Sequence, residues 1–248
     1  MPRLIGTKAC TLFFALAVCV ALRRRLCSFF GWCPKTSDAA PHRSSIDLQA
    51  LDPSALLETF EQAQAMSGSG FRQPGYTIWG GSVIHGDDGL FHKFVSRWDE
   101  RLGHNAWVTS SEVAHAVADS PLGPWTFRGI ALPRRGVRWW DGMATHNPSI
   151  HWHPFRKEYL LFYIGTSFEF APPHGTRFTN RSQYESAWNA KRIGVAISPS
   201  LEGPWARLDS PILSPRAGQW DGGITSNPAA ALYPNGSVLL LYKSIAVG

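Results

Sequence analysis

An internal repeat constrains this chain more than any other feature of its sequence. Gly123-Pro124-Trp125 recurs as Gly203-Pro204-Trp205, and Trp140-Asp141-Gly142 recurs as Trp220-Asp221-Gly222, both at an offset of 80 residues. The same register carries Thr145 onto Thr225, Asn147-Pro148 onto Asn227-Pro228, and Leu160-Leu161-Phe162 onto Leu240-Leu241-Tyr242 without a gap. Separated motifs that share one offset are the mark of a supersecondary unit copied along the chain. From residue 76 onward, short β-branched and aromatic runs alternate with Gly, Pro, Asn and Asp, which reads as strands and turns. A repeated unit of four short strands is a propeller blade.

The second copy is expected to place strands at 148–152, 159–165 and 193–198, with a fourth near Trp205. In the first copy 81–85, 90–97, 112–118 and 125–129 fill the same roles, and the third supplies 228–232 and 237–243. The fold class is therefore all-β, a propeller of which residues 71–248 account for two and a half blades. A propeller protects its edges by closing, so the sequence reads as part of a larger ring, with the apolar run 238–242 left as an exposed edge.

The segment before the blades is different in kind. Residues 9–22 are an uncharged apolar stretch of 14, preceded by Arg3 and Lys8 and followed by Arg23-Arg24-Arg25. As a helix this is about 21 Å long, short for a bilayer span. It suits the hydrophobic region of a signal peptide, with Cys19-Val20-Ala21 at a cleavable spacing; a membrane signal anchor or an organellar presequence are the alternatives. Residues 1–33 are read as this leader, an apolar helix. Residues 34–70 are read as a stem with a short helix from Asp52-Pro53 to about Met66. The cysteines, Cys10, Cys19, Cys27 and Cys33, all lie in the leader, so the blades must stand on packing alone. The net charge is +6, but the basic residues are scattered and form no phosphate track, which argues against a nucleic-acid partner. Sequons at Asn180 and Asn235 fit a glycoprotein of the secretory pathway, secreted or anchored as a type II membrane protein.

The runs WGGSVIHGDDGLFHKFVSRW, HNPSIHWHPFRKEYLLFYIGTS, RIGVAISPSLEGPW and SNPAAALYPNGSVLLLYKS resemble the five-bladed propeller glycoside hydrolases, the family 43 arabinanase/xylosidase group with its family 32 invertase relatives. The resemblance covers residues 76–248. It implies a carbohydrate partner and acid/base cleavage of O-glycosidic bonds in an oligo- or polysaccharide. It implies no organic cofactor and leaves a structural calcium open. In that family the carboxylates stand at the opening of the first blade, in the second blade and in a later one. Carried over, the first position falls at Gly80 or Gly81 and the second at Asn147, with Asn227 as the third-blade counterpart. An amide neither takes a proton at neutral pH nor forms a glycosyl ester, so the usual triad is not assembled from these positions. Other acids, missing blades, or a non-catalytic carbohydrate-binding role are the three ways out.

In an antiparallel blade the start of strand one, the end of strand two and the start of strand three share a rim. That rim gathers Glu112, Asp141 and Asp221 as candidate catalytic acids, Glu112 as proton donor and Asp141 as base or nucleophile. Asp-Gly in a turn, and a capping Glu, are the structural alternatives for the three. Trp79, Trp140, His146, Asn147 and Asn227 are candidate sugar contacts. Arg97 and Lys243 either recognise an acidic sugar or pair with rim carboxylates. No metal site is assigned: His151 and His153 face the same way on one strand but have no acid or thiolate beside them in the motif.

Overall fold

The computed structural model describes residues 16–19, 70–170 and 180–245. Strands β2 (Tyr76–His85), β3 (Phe91–Asp99), β4 (Glu112–Ala118) and β5 (Thr126–Leu132) form one antiparallel four-stranded sheet in chain order. Strands β6 (Ala144–His153), β7 (Glu158–Thr166), β8 (Arg192–Ser198) and β9 (Ala206–Arg207) form a second. Strands β10 (Ile224–Leu232) and β11 (Val238–Ile245) begin a third. The backbone of β1 (Leu16–Cys19) runs antiparallel to β11, with Leu16 opposite Lys243 and Cys19 opposite Leu240, so that edge is paired rather than bare. The rest of the leader and stem, with the helices expected in them, lies outside the described residues.

Every strand expected from the repeat is present. The inner strand of each sheet starts earlier than the sequence suggests, because Gly80-Gly81, Asn147-Pro148 and Asn227-Pro228 do not end it. Each pair forms a bulge: the register slips between Trp79 and Ser82, between His146 and Ser149, and between Ser226 and Ala229. Gly80, Asn147 and Asn227 sit at φ 57, 48 and 51. Glycine reaches this left-handed region freely and asparagine at small cost, which is why these residue types hold the bulge.

The core lies between sheets. Phe94, Val113 and Leu132 of the first pack on Ile150, Leu161, Tyr163 and Ala196 of the second, whose opposite face puts Leu160, Phe162, Ile193 and Val195 against Leu240 and Tyr242 of the third. Strand β7 is thus covered on both sides, which explains why 159–164 is continuously apolar rather than alternating. Each large side chain so buried contributes about 1.5–3 kcal/mol of transfer free energy.

Two connections carry insertions that the strand pattern did not announce. Between β3 and β4 stand two single 3-10 turns, Glu100–Leu102 and His104–Ala106, and the one-turn helix α1 (Trp107–Ser110). Between β7 and β8 stands α2 (Arg181–Asn189), capped by Asn180, whose side chain accepts from the Gln183 N–H. Both insertions belong to the rim at which the inner strands begin. They pack together through Val108, Met143, Phe168 and Ala187, with Trp107, Tyr184 and Trp188 at the margin.

Candidate functional site

The three bulges meet. Asn147 Nδ2 donates to Asn227 Oδ1 at 3.2 Å, and Asn227 Oδ1 also accepts from Ser226 Oγ at 2.8 Å. A Cβ placed on Gly80 would lie 3.2 Å from Asn147 Oδ1, so the first bulge closes against the second. The Asn147 N–H donates to Ser96 Oγ at 2.8 Å, and the Ile150 N–H to Ser82 Oγ at 2.7 Å, which ties β6 to the first sheet on either side of the bulge. The result is a short amide-lined floor in which the two asparagine side chains are bonded to each other and carried on left-handed backbone.

Above this floor the insertions supply aromatic walls. Trp79 is half exposed and meets the ring of His104 edge-on at 5.6 Å. His146, next to Asn147, is buried between Trp107, with ring centres 4.7 Å apart, and Trp98, at 5.8 Å; its Nδ1 is 2.9 Å from Ser111 Oγ. Burial, then the charges of Lys191 and His104, bring its pKa down to about 3, so its imidazole is neutral at physiological pH.

Sequence reasoning missed Lys191, and no motif marks it. Its side chain is buried, with Nζ 3.0 Å from the centre of the Trp188 ring and 5.3 Å from that of Trp107. Burial first, and the charge of Lys243 second, lower its pKa to about 6. Lys243 lies opposite Ser226 across β10 and β11, beside the same floor.

The candidate acids stand elsewhere in the chemistry. Glu112 faces Arg97 across β3 and β4 and accepts from its Nε at 3.0 Å and its Nη2 at 2.9 Å. Arg97 also donates to Gln73 and lies over the rings of Tyr76 and Phe127, so the pair forms a closed unit. Asp141 is fully buried, accepts from Tyr163 Oη at 2.6 Å, and pairs with Arg135 at 2.6 Å and Arg207 at 3.4 Å. Asp221 repeats the arrangement in the next blade, with Tyr242 Oη at 2.7 Å and Arg216 at 2.8 Å.

The ring of Trp140 stacks on Tyr163, and Trp220 stacks on Tyr242. Trp140 Nε1 donates to Leu208 O, and its ring lies against Gly165 and Gly194, where any Cβ would stand within 2.5 Å of it. These Trp-Asp units fasten neighbouring sheets, and their carboxylates are fully buried and bonded to tyrosine and arginine. His151 bonds to Ser149 Oγ and His153 to Gly236 O, each a structural contact. The sequon residues Asn180 and Asn235 are both exposed.

No protein-family model matches the sequence, and no curated protein does. Among solved structures the chain is similar to Zg3597, a family 117 glycoside hydrolase of the marine bacterium Zobellia galactanivorans, at 20% identity and a TM-score of 0.52 over 71% of this chain and 52% of that one. It is also similar to CoXyl43, a family 43 β-xylosidase/α-arabinofuranosidase from a compost microbial metagenome, at 17% identity and a TM-score of 0.44, covering 66% of this chain and 41% of that one. An endo-1,4-β-xylanase of Bacteroides thetaiotaomicron matches at 17% identity and a TM-score of 0.43, over 69% and 51% of the two chains. This chain therefore spans about half the length of these proteins or less. Its repeated antiparallel sheets, stacked through their faces and bulged at equivalent points, have the fold of the β-propeller glycoside hydrolases.

Proposed function

We propose that these blades form a carbohydrate-binding surface of glycoside-hydrolase type, and that the sugar is recognised rather than cleaved by the residues described. The single observation that carries this reading is the amide floor: Gly80, Asn147 and Asn227 occupy the three equivalent bulges, and no carboxylate stands at any of them. Amide groups and aromatic faces suit sugar hydroxyls and C–H faces. Hydrolysis would need two carboxyl groups about 5–10 Å apart, one of them protonated and able to donate. Glu112, Asp141 and Asp221 are each paired with arginine, and the two aspartates are sealed in the core.

Trp79, Asn147 and Asn227 are the proposed sugar contacts, with Lys243 at the edge and the buried His146 behind Asn147. The apolar leader takes this protein into the secretory pathway, and a mobility shift on enzymatic deglycosylation at Asn180 or Asn235 tests that part.

The binding experiment is calorimetry against xylo-, arabino- and galacto-oligosaccharides, run beside a turnover assay on the matching aryl glycosides. Binding without turnover, weakened at least tenfold by Trp79→Ala and unchanged by Glu112→Gln, is the expected result. Absence of binding to every glycan would sink the reading. Turnover abolished by Glu112→Gln would instead establish Glu112 as an acid and make the protein a glycosidase.

A further inference from the structure

Away from the amide floor, at the opposite ends of β3 and β4, lies a polar cluster that the packing of the fold does not demand. His92 and His115 are both buried, with near-parallel rings meeting edge to edge at 5.1 Å between centres, and His92 Nδ1 is 2.9 Å from His115 Nε2. Glu202 reaches them from the β8–β9 turn of the neighbouring sheet, its Oε2 3.6 Å from His115 Nδ1. One ligand atom from each of the three residues can be chosen so that all lie within 4.8 Å of one another.

The repeat supplies an internal control. Carrying the GPW register back through β4 and β8 places Val195 where the first sheet has His115, and Leu122 where the second has Glu202. The register of β3 on β4 and of β7 on β8 pairs Arg97 with Glu112 and Gly165 with Arg192, which places Leu160 where the first sheet has His92. Leu160 and Val195 are ordinary members of the apolar core between the second and third sheets. The second sheet thus turns leucine and valine toward the third where the first turns two histidines toward the second, and the turn of the first sheet has a leucine where that of the second has Glu202. A buried polar group costs about 1–3 kcal/mol when poorly matched, so a buried histidine pair where the repeat otherwise puts leucine and valine points to a compensating ligand.

The surroundings are those of a prepared site. Both oxygens of Asp88 lie 3.1 Å from His92 Nε2, a carboxylate placed behind the ring that turns Nδ1 toward His115. Phe94 stacks on His115 at 4.7 Å, and Leu201, beside Glu202, is locked in the core with Phe94, so the carboxylate is carried by an anchored turn.

We propose that His92, His115 and Glu202 bind a zinc-like divalent transition-metal ion that clips the first blade to the second, with Asp88 orienting His92 from behind. Two imidazoles and one carboxylate are a zinc-type donor set, not the all-oxygen set that calcium takes. Zinc–nitrogen bonds of about 2.0–2.1 Å at a tetrahedral angle put two nitrogens about 3.3 Å apart, so the His92–His115 contact has to open by a few tenths of an ångström. Water completes the coordination, since Glu202 borders solvent.

The test uses the whole chain, loaded with zinc chloride, desalted, and assayed for metal by atomic emission, with thermal melting before and after chelator. One zinc per chain and a melting point lowered by chelator are expected. Glu202→Leu copies Leu122, and His92→Leu with His115→Val copies the second blade. Each variant should fold yet bind zinc at least 100-fold more weakly. Asp88→Asn should weaken it about 10–100-fold, as loss of an orienting carboxylate does. Cobalt(II) in place of zinc should give the intense visible bands of a tetrahedral site in wild type only. Well under one zinc per chain in wild type, or the same zinc content in wild type and in Glu202→Leu, would overturn the proposal.

Discussion

Asn147 Nδ2 donates a 3.2 Å hydrogen bond to Asn227 Oδ1, joining the same point of two consecutive blades. Both residues hold a left-handed backbone, at φ 48 and 51, so each does two jobs, bulge and bond. Asn147→Ala loses both and should destabilise by about 1–3 kcal/mol, combining one neutral hydrogen bond with the left-handed penalty of a Cβ residue. Asn147→Gly loses only the bond and should cost less than Asn147→Ala. Urea denaturation of the two variants gives the order, and the reverse order would mean that the backbone at 147 is not constrained as described.

Asp141 is the sharper structural test, because sequence reasoning offers it as a base or nucleophile. Its carboxylate neutralises Arg135 and Arg207 inside the protein. Removing one partner of a buried ion pair costs about 3–5 kcal/mol, so Asp141→Ala should unfold or nearly unfold the chain. Tyr163→Phe removes one bond to a charged group and should cost about 1.5–3 kcal/mol. A well-folded Asp141→Ala protein with unchanged denaturation midpoint would restore the catalytic reading.

The repeat made the fold legible because it is carried by residues with one structural job each. Gly-Pro-Trp, Trp-Asp-Gly and Asn-Pro mark turns, inter-sheet fasteners and bulges, and those recur wherever a blade recurs. The site was less legible for the same reason. Asp141 and Asp221 looked chemical because the repeat puts them at the shared rim, but their equivalence across blades is what a fastener requires. Lys191 and His104 were invisible because they sit in insertions, outside the repeat. The His92–His115–Glu202 cluster was invisible because its members are far apart in sequence and meet only when two sheets stack.

Gly194 tests the packing behind Trp140. A Cβ there would stand 2.4 Å from the far edge of the Trp140 ring. The ring is held by its stack on Tyr163 and by its bond to Leu208 O, so it has little room to give. Gly194→Ala should destabilise by about 1–3 kcal/mol, the usual cost of overpacking. Paired with Trp140→Phe, which shortens the ring, the same change should cost measurably less than the sum of the two single substitutions. Strict additivity in the double-mutant cycle would place the two residues out of contact.

Lys191 links the candidate site to pH. Burial and Lys243 lower its pKa to about 6, from an ordinary 10.5. Between those two values the unfolded chain holds a proton at this side chain that the folded chain has released, so stability rises with pH across the window. Below pH 6 both states carry the proton and folding bears the whole cost of burying the charge; above 10.5 neither state does. His146, lowered to about 3, and His115, lowered to about 4, act in the same direction at more acid pH, below their ordinary 6.5. Lys191→Met keeps the apolar stem against Trp188 and removes the titrating group. The variant should therefore be more stable than wild type at pH 6, and its advantage should shrink steadily toward pH 10, as read from urea midpoints at four pH values. An advantage that stays level from pH 6 to 10 would mean that the ammonium keeps its proton in the folded protein, held there by a negative partner.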